Sequence, residues 1–447
     1  MGEKDMYRDL TRGSIVRSLI LFSLPMIAGN LLQQFYNIAD TLIVGRVLGE
    51  NALAAVGSAY TLMTFLTSIF LGLSMGSGAL FSICKGRNET DALRGSIAHA
   101  LVLILGITLV INALVYAFLE PILAFLNVPA SVLPGMREYL LVIFAGLLST
   151  SLYNFFACTL RAMGNSAVPL VFLAISAVLN IGLDLLFVIP LQWGIAGAAW
   201  ATVISQYVSG IGLMIYCLVK CKSILPKRND FQFKPWILRE ILSLSSLTCA
   251  QQSVMNFGIL MVQGLVNSFG ETIMAAFAAA VKIDTFAYLP VQDFGNAYST
   301  FVAQNFGAKN VSRIREGTRK AFCMSAIFSV VISAIVFLFA KPLMGLLVDA
   351  SAAAVIEEGA KYLRIEGAFY VGIGCLFLFY GYFRAIQKPG ISVILTVISL
   401  GTRVALAYAL SGIIGEIGIW ISIPIGWALA DIAGLVWMFK VKLGSAD

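Results

Sequence analysis

The chain has 447 residues, of which 59% are apolar and 12% charged, and its formal net charge is +7. A water-soluble domain carries about 25% charged residues, so this chain has too little charge to clothe a surface in water and must face lipid, which excludes a soluble enzyme. Seven cysteines without a CxxC pair and a single histidine, His99, supply neither a disulfide framework nor a zinc site.

After a charged start (Lys4, Asp5, Arg8, Asp9, Arg12) the first apolar run begins at Ile15 and continues to Gly45 with no small-residue cleavage site. It reads as a retained helix and not as a signal peptide. Further runs cover 52–84, 94–118, 134–160, 166–189, 194–219, 238–268, 272–306, 316–340, 358–383, 390–411 and 416–439, twelve in all. Backbone polar groups in hydrocarbon must be satisfied within their own segment, and these runs are too long for barrel strands. They predict an all-α membrane protein of twelve transmembrane helices. With the N-terminus taken as cytoplasmic, alternate connections carry 23 Lys and Arg on that side and 5 on the other. The bias predicts a multi-pass protein of the inner (plasma) membrane with both termini cytoplasmic. The positive charge is then an orientation signal, and no nucleic-acid partner is implied.

The longest polar connection, from Lys220 to Glu240, sits at the middle of the chain. It divides an N-lobe (1–225) from a C-lobe (237–447) through a cytoplasmic linker (226–236). A shift of 221 brings Gly49-Glu50-Asn51-Ala52-Leu53-Ala54-Ala55 onto Gly270-Glu271-Thr272-Ile273-Met274-Ala275-Ala276. A shift of 223 brings Tyr139-Leu140 onto Tyr362-Leu363 and Arg161-Ala162 onto Arg384-Ala385. Six helices per copy is an even number, so the halves run in one direction, related by a pseudo-twofold axis along the membrane normal. Two such lobes suit alternating access, with a substrate held between them.

The repeat also acts as a control, because a residue polar in one half alone is harder to explain by packing. Asp40 maps to Met261 or Val262, Asn154 to Phe377, Asp184 to Ala407 and Thr202 to Ile423, while Asn180 maps to Arg403. A carboxylate in hydrocarbon costs several kcal/mol unless it is paired, protonated or coordinating an ion. Counted from the span ends, Asp40, Tyr139, Asn180, Asp184 and Thr202 all fall about 8 to 15 Å from the outer ends of their helices. Asn180 and Asp184, four apart, share a face. Two carboxylates, an amide oxygen and a hydroxyl form the hard-oxygen set that a small cation such as Na⁺ prefers. Two nearby carboxylates can equally hold one proton between them. A static hydrogen-bonded cluster that only packs helices is the competing reading, whereas an acid/base enzyme lacks any accompanying nucleophile, metal-ligand set or cofactor motif.

Below Asp40 the first span carries Met26, Asn30, Gln33, Tyr36 and Asn37 at spacings of three and four, one face of the helix. That face suits a flat amphipathic ligand, although core packing explains such a stripe equally well. Pro25 removes a helical hydrogen bond at its inner end and predicts a bend. Asn154 would line the deeper wall. In the C-half, Glu366 and Arg403 are expected to pair across helices, and Lys282 and Asp284, two apart, do not face each other. Gly72 and Gly76 form a small-xxx-small contact.

The chain resembles the multidrug and toxic compound extrusion (MATE) family over its full length. The resemblance is carried by PMIAGNLLQQFYNIADTLIVGRVLGENALAAVG (25–57), RAMGNSAVP (161–169), GIAGAAWAT (194–202) and VAQNFGAKN (302–310). An aspartate on the first helix with Asn and Asp four apart on the fifth looks like the DinF-like branch of that family. The resemblance implies that Asp40, Asn180, Asp184 and Thr202 form the coupling-ion site, for H⁺ or Na⁺, with Tyr139 in its hydrogen-bond network. It implies a drug cavity in the N-lobe touching Met26, Gln33, Tyr36, Asn154 and Ser176, to which the stripe adds Asn37. The implied activity is secondary active efflux of cationic or amphipathic drugs by a monomer in the lipid bilayer, with no cofactor and no enzymatic step. The C-half acids Asp284 and Asp293 depart from this pattern and leave a second cation site open. The alternative is a lipid-linked sugar or lipid flippase of the wider superfamily, which needs a basic cleft where the spans offer only Lys282 and Arg403; a passive channel is a third.

Overall fold

The computed structural model describes residues 7–125 and 130–441. The stretches 1–6 and 442–447, which hold Lys4, Asp5 and Lys442 of the charge pattern and the two chain ends of the topology reading, lie outside them. All regular structure in the described residues is helical: α1 (Ile15–Leu48), α2 (Glu50–Arg87), α3 (Thr90–Ala117), α4 (Leu119–Phe125), α5 (Leu133–Ile143), α6 (Leu147–Ala162), α7 (Ala167–Val188), α8 (Gly194–Lys220), α9 (Pro235–Asn267), α10 (Glu271–Gly307), α11 (Val311–Leu338), α12 (Ala340–Met344), α13 (Ala353–Gly367), α14 (Tyr370–Ala385), α15 (Pro389–Ile414) and α16 (Glu416–Lys440). Among the described residues ten spans are long and apolar enough to cross a membrane, and the pair α13 and α14, bent by 52°, supplies an eleventh. The expected span 238–268 falls on α9, a helix of 33 residues.

On these helices the exposed positions are mostly apolar and the polar side chains turn inward among the apolar core, the pattern lipid imposes. On α7 the buried positions are Pro169, Leu173, Ser176, Ala177, Asn180, Asp184, Phe187 and Val188, while Val171, Ile175, Val178 and Leu186 are among the exposed ones. On α11 the buried face carries Ser325, Ser329 and Ser333 against exposed Ile327, Val330 and Val331.

Two compact units divide the chain. The first takes the residues up to Asp9 together with Leu24–Cys249; the second takes Leu10–Ser23 and the chain from Ala250 onward. Both α1 and α9 therefore begin in one unit and end in the other, and on α1 the change falls at Ser23 and Leu24, next to Pro25.

In the first unit, α2 meets the start of α9 at backbone distance. A Cβ added to Gly72 would stand 2.5 Å from Cys249 Cα, and one on Gly76 would stand 2.5 Å from Ser245 Cα. The glycine pair is thus the α2–α9 contact, tied further by Ser245 Oγ donating to Leu73 O at 3.0 Å. The fourth span, read from the sequence as one helix, breaks into α5 and α6 at a 3-10 turn over Phe144–Gly146. Side chains of neighbouring helices bond the carbonyls of that turn: Asn112 Nδ2 donates to Phe144 O at 2.7 Å and Tyr207 Oη to Ala145 O at 2.9 Å. Such capture is what permits irregular backbone at membrane depth.

The sequence repeat returns in the backbone. Eight of the ten left-handed residues among those described form matched pairs, Gly49 (φ 87°) with Gly270 (95°), Asn88 (60°) with Lys309 (55°), Gly164 (96°) with Gln387 (61°), and Gly194 (61°) with Gly415 (67°). Gly164 must be glycine for a further reason, because an added Cβ would strike the carbonyl oxygen of Arg8.

Candidate functional site

In the first unit, α1 contributes Asp40, α5 Tyr139, α7 Asn180 and Asp184, and α8 Thr202. Asp184 is 0% exposed and Asn180 2%, because the buried face of α7 carries both one turn apart. The carboxyl groups of Asp40 and Asp184 lie close enough to share a hydrogen bond when one is protonated. Asn180 Nδ2 donates to Thr202 Oγ1 at 3.3 Å, joining α7 to α8. Tyr139, itself buried, lies within electrostatic reach of Asp40, Asp184 and Tyr36.

Satisfaction of these groups is incomplete. Asp40 Oδ1, both carboxylate oxygens of Asp184 and Asn180 Oδ1 are buried acceptors that find no donor among the described residues. Buried oxygens nearly always find a partner, and the cost of leaving one without is about 1–3 kcal/mol, more for a charged group. The arrangement is an oxygen-rich nest short of positive charge, the chemistry of a site for a proton or a small hard cation.

The stripe on α1 lies beside it. Met26 is buried, and from Asn30 to Ile43 the helix holds no fully buried residue, so Gln33, Tyr36, Asn37 and Asp40 are all half-buried. Tyr36 hydrogen-bonds Gln33 and stands within electrostatic reach of Tyr60 on α2 and Tyr153 on α6. Neither of these tyrosines is marked by spacing in the sequence; only the approach of three helices identifies them. Asn154, next to Tyr153, donates Nδ2 to Thr150 O at 2.9 Å, and Ser176 donates its hydroxyl to Ser205 O at 2.8 Å. Both keep these side chains on their own walls, Ser176 as a tie between α7 and α8. Pro25 lies inside the continuous α1.

The second unit holds an acid cluster of its own. Asp284 on α10 and Glu366 on α13 are buried, their carboxyl groups lie within reach of each other when one is protonated, and Tyr362 stands beside Glu366. Arg403 on α15 acts electrostatically on both acids. The expected Glu366–Arg403 ion pair is not closed among the described residues, and Arg403 Nε has no acceptor. Glu366 is instead held by Tyr362 and Asp284. Lys282 is exposed while Asp284 is buried, as two positions on a helix require. Asp293 is buried about 13 Å further along α10. The Asp284–Glu366 contact was beyond sequence reading, although the equivalence of Tyr362 with Tyr139 pointed to one of its two helices, α13.

The chain as a whole is similar to known proteins. The MatE family model matches residues 25–186 and 247–409. The chain is 30% identical over 433 residues to the probable multidrug resistance protein YpnP of Bacillus subtilis (strain 168), covering 96% of each. It is 25% identical to the probable multidrug resistance protein NorM of Thermotoga maritima, with 94% of this chain and 90% of that one aligned. Among solved structures it resembles a MATE protein crystallised in complex with MaL6, with a TM-score of 0.91 and 25% identity over 96% of this chain and 97% of the other.

Proposed function

Because the chain belongs to the MatE family, we propose that it is a secondary active multidrug exporter that moves cationic or amphipathic drugs outward in exchange for H⁺ or Na⁺ by alternating access. The observation that carries the reading is the set of four buried acceptor oxygens on Asp40, Asp184 and Asn180 that find no donor among the described residues. A coupling ion arriving at Asp40 and Asp184 removes their mutual repulsion. The cost of leaving two charges in a low-dielectric layer falls, and α1 can draw Asp40 inward. Pro25 lacks the donor that would stiffen the helix, so the movement concentrates there. As α1 shifts, the face formed by Met26, Gln33, Tyr36 and Asn37 closes on the volume it shares with Asn154, and bound drug is displaced. Ion and drug thus compete through one helix, and each weakens the other by the same factor, as linkage requires.

The test is transport of a cationic dye into everted plasma-membrane vesicles, with an imposed pH gradient compared with an imposed Na⁺ gradient. The gradient that drives accumulation names the ion. Asp40→Asn and Asp184→Asn should each abolish accumulation against the gradient, while Asp284→Asn should retain it. Uphill transport by Asp40→Asn would overturn the assignment, and dye movement indifferent to both gradients would indicate a channel.

A further inference from the structure

The connection between α8 and α9 is built in an unusual way for a link between two spans. Its two isoleucines turn inward: Ile224 is 6% exposed and Ile237 0%, both part of the apolar cluster formed by the ends of α2, α3, α6 and α8. Its aromatic residues turn outward, with Phe231 49%, Phe233 71% and Trp236 60% exposed. Around them stand Lys220, Lys222, Lys227, Arg228 and Arg239, all exposed. Asp230, the acid within residues 220–239, spends an oxygen on the backbone N–H of Lys227 at 2.7 Å, which shapes the 3-10 turn Arg228–Phe231.

The segment is held in place and does not trail. Arg94 Nε donates to Ser223 O at 2.9 Å. His99, on the same helix α3, sets its Nδ1 against Gly95 O at 2.8 Å and accepts the Lys234 N–H on Nε2 at 3.0 Å. Both His99 contacts require the neutral ring with its hydrogen on Nδ1, so the histidine is a fixed post between α3 and the entry to α9. Three large aromatic side chains are thereby displayed on an anchored platform next to the ends of two membrane-crossing helices.

We propose that residues 220–239 form a membrane-surface anchor that recognises anionic phospholipid. Exposed Phe and Trp in water are unfavourable, and beside a helix end the medium available to them is the headgroup layer, where aromatic rings settle. The five exposed cations then meet lipid phosphates, each contributing roughly a fivefold gain in affinity for an anionic surface. The anchor rests on the membrane-spanning fold and on neither the coupling ion nor the drug.

The experiment uses the full-length protein in vesicles of phosphatidylcholine, alone or mixed with phosphatidylglycerol, with bromine placed just below the headgroups or deep in the acyl chains. The emission lost in Trp236→Phe isolates the Trp236 signal. It is expected to be quenched by the shallow bromines, more strongly when phosphatidylglycerol is present. In detergent, short-chain phosphatidylglycerol should bind the K227Q/R228Q double variant about 25-fold more weakly than the wild type, while short-chain phosphatidylcholine binds both alike. An unquenched Trp236 would place the platform in water or against another protein, and equal quenching in both lipids would reduce it to an apolar contact; either result overturns the proposal. Dye transport is not read, so loss of the exporter reading would leave this result standing.

Discussion

Thr202 shows how little separates a packing residue from a site residue. Its hydroxyl accepts the amide of Asn180 at 3.3 Å, which turns Asn180 so that its own oxygen joins the nest of buried acceptors. Thr202→Val keeps the shape and removes that acceptor, leaving a buried N–H without a partner at a cost of about 1–3 kcal/mol. The variant should unfold at lower temperature in detergent, and Thr202→Ser should restore most of the loss. Asp40, Asn180, Asp184 and Thr202 were legible from the sequence because charge and amides are scarce in its spans and because the second half is mostly apolar at the same positions. Tyr60 and Tyr153 were not, since an aromatic in an apolar run carries no mark until another helix turns Tyr36 toward it.

At the scale of elements, the positions of the spans follow from hydropathy, but their interruptions do not. The run 134–160 is apolar straight across Phe144–Gly146, and the break becomes visible only when Asn112 and Tyr207, from α3 and α8, are seen taking its carbonyls. Tyr207→Phe should therefore cost about 1 kcal/mol with no change of shape, read as a lowered unfolding midpoint, while a phenylalanine at the exposed Tyr408 should cost nothing. The contact of α2 with α9 makes a stronger demand. At Gly76 an added Cβ meets backbone and not a flexible side-chain end, so Gly76→Val cannot be absorbed by a rotamer change. It should destabilise by at least about 1–3 kcal/mol, seen as reduced yield of folded protein on size-exclusion chromatography. Gly57→Val on the same helix, where nothing lies within 4 Å of an added Cβ, is the control.

Across the whole molecule the two halves solve one problem differently. Each carries a buried acid pair, Asp40 with Asp184 and Asp284 with Glu366, beside a tyrosine at the equivalent position, Tyr139 or Tyr362. Where the first half has Asn180 the second has Arg403, so the second acid pair has a cation on a neighbouring helix where the first has an amide. The repeat was readable in the sequence at its turns, because Gly49 and Gly270 or Gly194 and Gly415 hold the same left-handed backbone. The acid pairs were not readable as a pair of pairs, since Asp284 and Glu366 occupy repeat positions filled by Met63 and Ile143 in the first half. Exchanging the distinguishing residue tests the argument in both directions. Arg403→Asn removes the positive charge that acts on both buried acids and should lower the unfolding midpoint. Asn180→Arg supplies an internal cation to Asp40 and Asp184, so the external ion has nothing left to neutralise. Saturating coupling ion, at a hundredfold excess over its Kd, stabilises a protein that binds it by about 2.7 kcal/mol. The wild type should show that rise in unfolding midpoint and Asn180→Arg should lose it while remaining folded. An Asn180→Arg protein still stabilised by the ion to the wild-type extent would place the ion somewhere other than Asp40 and Asp184.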